Sequence, residues 1–317
     1  MDIKIFSNTP ARGIADQVCD LLGIEHGKQI IKRFSDGEVF AKVNESVRGK
    51  DVFVIASLQS PADYRDEMRL LAESARSSNA KKLTIIVSYL GYGRQDRKSE
   101  PHSPISVLMP INDICESCPD HVFTIDVHAE QNLVAFRTKG VVYDNLFASY
   151  VLLPKIKEIV HGEFVVASPD KGGGARAMWY CNHLGLNDYA LFNKERPAPG
   201  EVDANRIKVI GDVADKNVIF VDDMIDTGNT IIADAKKAAE SGAKEIYVLV
   251  SHGLFSNNAI ERIEDSPITK LLVTDSVFVP FERLAQSPKI ERISIAPLIA
   301  EAIKRIHDDG PITPLFL

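Results

Sequence analysis

The chain's densest chemical signal is a run of three acids and a small polar bend. Val218-Ile-Phe-Val221 is a short apolar stretch, and it delivers Asp222 and Asp223 at once, followed by Met-Ile-Asp226-Thr227-Gly228-Asn229-Thr230. Such a run reads as a buried strand, a polar bend and a helix start. Backbone N–H groups at a helix start, with threonine hydroxyls beside them, make a natural phosphate cradle. The acids would repel a phosphate, but they suit vicinal sugar hydroxyls, which donate hydrogen bonds to carboxylates. A phosphorylated sugar lying across the bend satisfies both halves. Helix capping would account for one Asp or Thr. It does not account for three acids with Gly228-Asn229 between the threonines. The bend lacks Gly-Lys-Ser/Thr, so it is not a nucleotide P-loop.

Five other places hold residues with chemical reach. Arg94-Gln95-Asp96-Arg97-Lys98 is dense in donors, as a triphosphate requires, and reads equally well as a solvated loop. His128 and Asp170 each come after a strand-like run, where a parallel sheet presents ligands. A carboxylate is a proper ligand for Mg²⁺ and a histidine an uncommon one; a lone histidine is more often structural. Asp36-Gly37-Glu38 looks like a turn. The segment 193–201, Asn-Lys194-Glu-Arg196-Pro-Ala-Pro-Gly-Glu, is charged and proline-rich, which predicts an exposed loop between strands. It is either a hairpin tip with an incidental Lys and Arg or a lid that brings two cations to reacting phosphates.

A regular rhythm of secondary structure carries these residues. Runs at 52–56, 83–87, 121–125, 164–167, 218–221 and 246–250 are β-branched, apolar and short, and read as buried strands. Helix-like stretches at 63–78, 104–118, 146–160, 174–184 and 230–241 separate them, the last stopping at Gly242. Strands alternating with helices mean crossover connections and parallel sheets, hence an α/β fold. Each half repeats one device, a buried strand ending in polar residues before a helix. This suggests a duplicated fold, and we expect domains at 1–144 and 145–302. The amphipathic segment 296–307 could pack on either half, and 303–317 is expected on the first.

Composition narrows the function classes. At 317 residues the chain has room for about two domains. With 45% hydrophobic and 26% charged residues it has an ordinary globular make-up rather than a disordered one. The 37 basic against 44 acidic residues leave a net charge of −7, which argues against a nucleic-acid coat protein or a polybasic membrane binder. No run approaches the ~20 apolar residues of a membrane helix, and the N-terminus opens on a strand-like segment rather than a secretory signal. Four cysteines cannot make a disulfide scaffold, so a reducing cytosol is expected. Cys115-Glu-Ser-Cys118 has redox spacing, but it sits at a helix end and has no second pair to complete a zinc site.

The bend at 222–230 resembles the phosphoribosyl-pyrophosphate loop shared by phosphoribosyltransferases and ribose-phosphate pyrophosphokinases. The stretches Phe34-Ser-Asp-Gly-Glu38, Gly91-Tyr-Gly-Arg-Gln-Asp-Arg-Lys98, Asp126-Val-His-Ala129, Ser168-Pro-Asp-Lys-Gly-Gly173 and Lys194-Glu-Arg-Pro197 are similar to signatures of the pyrophosphokinases, in order and nearly in spacing. The resemblance runs from Phe34 to the C-terminus. It implies two phosphoribosyltransferase-type domains, each a mainly parallel sheet flanked by helices. The implied activity is transfer of the diphosphoryl group of Mg-ATP to the C1 hydroxyl of ribose 5-phosphate, giving phosphoribosyl pyrophosphate and AMP.

The same resemblance implies residue roles. Arg94 and Gln95 would bind ATP, and Phe34, Asp36, Gly37 and Glu38 would meet its adenine, from a neighbouring subunit. His128 and Asp170 would hold the Mg²⁺. Lys194 and Arg196 would be catalytic, Arg196 also touching ribose 5-phosphate. Asp222, Asp223, Asp226, Thr227, Gly228, Asn229 and Thr230 would bind that sugar. The implied assembly is a homo-oligomer, a hexamer of dimers, with no nucleic acid and no membrane.

The departures are Asn229 where the family has a second small residue, Glu195 for an arginine, Lys171 for the commoner histidine, and a different run at 99–108. Asn229 is expected to survive because asparagine tolerates positive φ. Two rival readings are a phosphoribosyltransferase, which would not explain Asp36–Glu38 or Arg94–Lys98, and a non-catalytic regulatory relative.

Overall fold

The computed structural model describes residues 2–194 and 207–316. Its contacts separate into two units. One comprises Met1–Tyr150, Ser276–Phe278 and Ser294–Leu317, and the other Val151–Asp275 and Val279–Ile293.

The first unit is built on a five-stranded parallel sheet. Its strands are β1 (Ile3–Ser7), β4 (Asp51–Ser57), β5 (Lys82–Tyr89), β6 (His121–Ile125) and β7 (Val142–Leu146), side by side in that order. Every residue of β4 is buried and β5 nearly so, as expected of central parallel strands covered on both faces. Phe6, Val54, Ile85 and Val122 from the sheet pack with Met68 and Leu71 of α2 (Asp63–Ser77). Ile111 and Ile114 of α3 (Leu108–Glu116) and Phe136 of α4 (Val134–Thr138) complete that core. An antiparallel hairpin, β2 (Gln29–Arg33) and β3 (Val39–Val43), lies over α2. The C-terminal helix α10 (Ala296–His307) packs along α1 (Arg12–Leu22), and His307 Nδ1 meets Asp51 Oδ2 at 2.9 Å.

Two helices begin later than the sequence pattern predicts. The expected 104–118 helix starts at Leu108, because Val107 spends its N–H on the Gln95 carbonyl at 3.3 Å. Pro110 then falls in the first turn, where a missing N–H costs nothing. The expected 146–160 helix, α5 (Ser149–Ile159), starts after β7. There Asp126 donates its N–H to the Leu146 carbonyl and accepts the Ala148 N–H on Oδ2 at 2.8 Å, which holds the chain extended.

The second unit carries a seven-stranded sheet. Its order is β10 (Ile207–Ile210), β9 (Ala190–Lys194), β8 (Phe164–Ser168), β11 (Asn217–Ile225), β12 (Ile246–Gly253), β13 (Lys270–Thr274) and β14 (Ile290–Ile293). All neighbours are parallel except β9 and β10. From β8 the chain moves outward to β9, and from β11 it moves the other way to β12. The switch point therefore lies between β8 and β11. In open sheets the crevice for ligands opens at that point, beyond the carboxyl ends of the strands. β8 feeds α6 (Gly174–Leu184) and β11 feeds α7 (Asn229–Glu240), so Asp170 and the Asp222–Thr230 bend belong to these two strand ends. Cys115 and Cys118 sit at the end of α3, the first buried and the second exposed, and both are free thiols.

Candidate active site

β11 runs on past the expected end at Val221 to Ile225, so Asp222 and Asp223 are strand residues and the bend proper begins at Asp226. Asp222 is half-buried and Asp223 buried, and the Asp223 N–H donates to Asp222 Oδ1 at 2.9 Å. Burial and then the adjacent Asp223 carboxylate push Asp222 well above the usual carboxylate range. Arg176, in the first turn of α6, opposes this with Nη1 at 3.8 Å from an oxygen of each acid. Two carboxyls against one guanidinium leave spare acceptor capacity, which fits hydroxyl donors and not a phosphate.

The bend beyond the acids is held from outside. Leu254 N–H donates to the Ile225 carbonyl at 2.8 Å and Ser256 N–H to the Asp226 carbonyl at 3.1 Å, so the segment after β12 braces it. Gly228 is the N-cap of α7 at φ 76°, ψ −5°, a conformation that costs a side-chain-bearing residue strain. An added Cβ would also press on Ile232 Cδ1 at 3.2 Å. The left-handed residue is thus Gly228, and Asn229 is the first residue of the helix. Asparagine's tolerance of positive φ plays no part in how this chain accommodates it. Instead the Asn229 side-chain oxygen accepts from Arg262 of α8 (Ala259–Glu264), whose Nη1 also reaches the Thr227 carbonyl at 3.1 Å. No side chain caps α7 at Gly228, so its first N–H groups face outward in the arrangement that binds anions.

Asp170 lies beyond β8 on an exposed loop. Its Oδ1 accepts the Gly173 N–H at 3.0 Å, and Ser168 Oγ donates to its carbonyl at 2.7 Å, which fixes the carboxylate at the mouth of α6.

The first unit gathers a second set. The loop after β5 turns on Tyr92 at φ 62°, and Gln95 N–H returns to the Tyr92 carbonyl at 2.9 Å. A Cβ on Gly93 would stand 3.5 Å from that of His128, so this loop and the one after β6 touch. Asp96 has a side chain only 4% exposed and accepts the Arg97 fork at 2.9 and 3.0 Å. That fork holds its carboxyl below the usual range, with the nearby His128 assisting. Arg94, Gln95 and His128 are exposed. Asp126 stands at φ 43°, and Asn145 of β7 anchors the chain on either side of it. Asn145 Oδ1 accepts Thr124 Oγ1 at 3.0 Å and the Val127 N–H at 3.3 Å, while Nδ2 donates to Glu130 at 2.9 Å.

Phe34, Asp36, Gly37 and Glu38 form the β2–β3 hairpin tip. Phe34 N–H donates to the Glu38 carbonyl at 2.9 Å, Glu38 N–H to Asp36 Oδ1 at 3.0 Å, and Gly37 sits at φ 96°. Phe34 is 47% exposed, with its ring edge-on to Phe40 and Lys32 Nζ 5.4 Å from its centre. Lys194 ends β9, its backbone opposite Ile207. Arg196 lies outside the described residues.

Arg176, Asn145 and Arg262 were not among the expected site residues. Arg176 carried a faint signal, a cation one turn into the helix that comes after Asp170. The other two contribute through partners distant in sequence. Among the described residues no group of three or more His, Cys, Asp or Glu is placed to hold a metal. Asp170 and His128 are each exposed, the one a carboxylate of the kind Mg²⁺ takes and the other an uncommon ligand for it.

A half-buried Asp222, a buried Asp223 and an amide-lined bend thus stand together at the switch point of a phosphoribosyltransferase-type sheet. The sequence matches the N-terminal domain of ribose phosphate pyrophosphokinase over residues 3–116 and the phosphoribosyl synthetase-associated domain over 156–317. It is 37% identical over 315 residues to a ribose-phosphate pyrophosphokinase of Gloeobacter violaceus, covering 99% of this chain and 93% of that one. With that of Campylobacter jejuni the identity is 39%, covering 99% of both. The crystal structure of phosphoribosylpyrophosphate synthetase from Mycobacterium smegmatis superposes with a TM-score of 0.88 at 29% identity, covering 98% of this chain and 100% of that one. The chain belongs to the ribose-phosphate pyrophosphokinase family.

Proposed function

We infer that this enzyme is a ribose-phosphate diphosphokinase, transferring the β,γ-diphosphoryl group of ATP to the C1 hydroxyl of ribose 5-phosphate and releasing AMP. The observation that carries the reading is the Asp222–Asp223 pair joined directly to the Gly228-centred bend at the switch point. In this reading the amides and hydroxyls of Thr227, Gly228, Asn229 and Thr230 receive the 5-phosphate, with Asp226 shaping the bend. Asp222 and Asp223 accept hydrogen bonds from the ribose hydroxyls, and the C1 hydroxyl is left aimed at the β-phosphorus. Phosphoryl transfer needs little from the protein beyond positioning and charge neutralisation. Arg94 and Gln95 hold the ATP phosphates, and Phe34 with Asp36, Gly37 and Glu38 meets the adenine. Lys194 and Arg196 neutralise charge that grows on the phosphates, Arg196 also contacting the sugar.

Mg²⁺ is the cofactor in this reading, with His128 and Asp170 as the residues that would hold it. When bound it supplies charge neutralisation on the phosphates. Four free thiols, three of them buried, suit a reducing cytosol. Among the described residues no helix is long and apolar enough to cross a membrane. The assembly we propose is a homo-oligomer, a hexamer of dimers, in which the Phe34–Glu38 hairpin serves a neighbouring copy.

The decisive experiment is AMP release from ATP and Mg²⁺ with and without ribose 5-phosphate. Release strictly dependent on the sugar is expected. A phosphoribosyltransferase would make no AMP from this pair, and a regulatory relative would make nothing alone; either outcome overturns the reading.

A further inference from the structure

The Thr227–Gly228 peptide is the hinge of the bend. In a trans peptide the C=O and N–H point in opposite directions, so whatever fixes the Thr227 carbonyl also fixes the Gly228 N–H. Glycine tolerates either orientation of the peptide before it, and the bend alone therefore does not choose between them. Arg262 does choose. Its Nη1 donates to the Thr227 carbonyl at 3.1 Å from a helix 35 residues further along the chain. The same nitrogen donates to the Asn229 side-chain oxygen.

The second bond matters for a separate reason. An asparagine in the first turn of a helix can turn its side-chain carbonyl onto the free amides there. Here that would occupy the N–H groups on which an anion must land. With its oxygen engaged by Arg262, Asn229 faces away from them, and α7 has no side-chain cap at Gly228.

We propose that Arg262 is a positioning residue for ribose 5-phosphate. It selects the peptide orientation that aims the Gly228 N–H at the phosphate, and it keeps Asn229 from capping α7. This rests on the reading that the 5-phosphate binds at this bend. The test is a kinetic cycle on the full-length enzyme with Arg262→Met, Asn229→Gly and the double variant, beside calorimetric titration of the wild type and of Asp223→Asn with ribose 5-phosphate. Arg262→Met should raise the KM for ribose 5-phosphate about tenfold, a change worth about 1.4 kcal/mol, and leave the KM for ATP within about twofold. Asn229→Gly alone, which keeps the backbone amide but alters the bend beside it, should raise the KM for ribose 5-phosphate by a smaller factor than Arg262→Met does. In the double variant it should recover about half of the logarithmic loss, because the competing cap is gone.

A general structural role would move both KM values together, or would leave the two substitutions multiplicative. Either result overturns the inference while sugar binding in the wild type still stands. If the wild type fails to bind ribose 5-phosphate, or binds it undiminished in Asp223→Asn, the site reading falls and the inference with it. Should Arg262→Met not fold, Arg262→Lys keeps the cation without the fork and runs the same cycle.

Discussion

The β11–α7 bend and the β2–β3 hairpin tip are both short turns on a left-handed glycine, Gly228 at φ 76° and Gly37 at φ 96°. They differ in what holds them. The bend is tied to the segment after β12 through Ser256 and to α8 through Arg262, and its acids are partly or fully buried. The tip is held by hydrogen bonds of its own five residues and projects exposed Phe34. A turn braced from two other elements can hold amides and carboxylates in place before the ligand arrives, which is where binding energy becomes positioning. A self-contained turn offers a surface whose value depends on what it docks against.

Asp223 puts that contrast to its hardest test. Asp223→Asn keeps the shape but removes the charge that strengthens its hydrogen bonds to hydroxyls. A charged acceptor is worth about 1.5–3 kcal/mol. The kcat/KM for ribose 5-phosphate should therefore fall about tenfold to a hundredfold, with the KM for ATP nearly constant. Steady-state kinetics with each substrate varied in turn checks this. An equal loss for ATP would show that the bend is not a dedicated sugar site.

Asp222 gives the same contrast a pH axis. Its pKa is raised in the folded protein, so the native state prefers it protonated. Stability from that preference is present below the unfolded pKa and is lost as pH rises through the raised folded value. At neutral pH, above the unfolded pKa, that stabilisation is diminished in the ligand-free enzyme, and Asp222→Asn should raise Tm there while lowering activity. In the proposed binding mode ribose hydroxyls would donate to the charged form. Affinity for ribose 5-phosphate should thus weaken as pH falls through that raised pKa, above the usual carboxylate range, with proton release on binding. Calorimetry in buffers of different ionisation heat measures both effects. Binding independent of pH from the usual carboxylate range upward would sink the account.

Asn145 tests whether the first unit has a braced loop of its own. Asn145→Ala would leave the buried Val127 N–H without its side-chain partner and the Thr124 hydroxyl with only the Asp144 carbonyl at 3.5 Å. That costs about 1–3 kcal/mol. With the backbone before His128 loosened, half-maximal activity should need about threefold to tenfold more Mg²⁺. A Tm loss with unchanged Mg²⁺ demand would make Asn145 purely structural.

These differences also explain what could be read from the residues in order. Asp222 to Thr230 announced itself because strand, acids, bend and helix start occupy one contiguous stretch, so chemistry and geometry share a local cause. The strand starts were legible for the same reason, since burial on both faces leaves an uninterrupted apolar run. Arg262 was not legible, because its partners are 33 and 35 residues away and only the packing of α8 brings it back. The late starts of α3 and α5 were hidden likewise, since Gln95 and Asp126 reach into them from other loops. The left-handed conformation of Tyr92 has no signature in residue type. The hairpin tip was misleading in the opposite sense: Asp36-Gly37-Glu38 reads as a turn and is one, so nothing local separates a turn with a task from one without.

The mildest consequence belongs to that tip. Phe34 makes an edge-on contact with Phe40, ring centres 5.6 Å apart, and Lys32 stands near both rings at 5.4 and 5.1 Å. Phe40 and Lys32 keep each other when the Phe34 ring goes, so Phe34→Ala should cost less than about 1 kcal/mol of stability. A base stacked on an aromatic ring loses about 1–3 kcal/mol on alanine substitution. With half of the ring already in solvent the lower end applies, which is roughly fivefold in the KM for ATP. The KM for ribose 5-phosphate should not move, since the bend is anchored in a different sheet. Were it to rise by the same factor as the KM for ATP, the tip would be acting through the fold rather than on the nucleotide, and the division between a braced sugar site and a self-contained adenine lever would be lost.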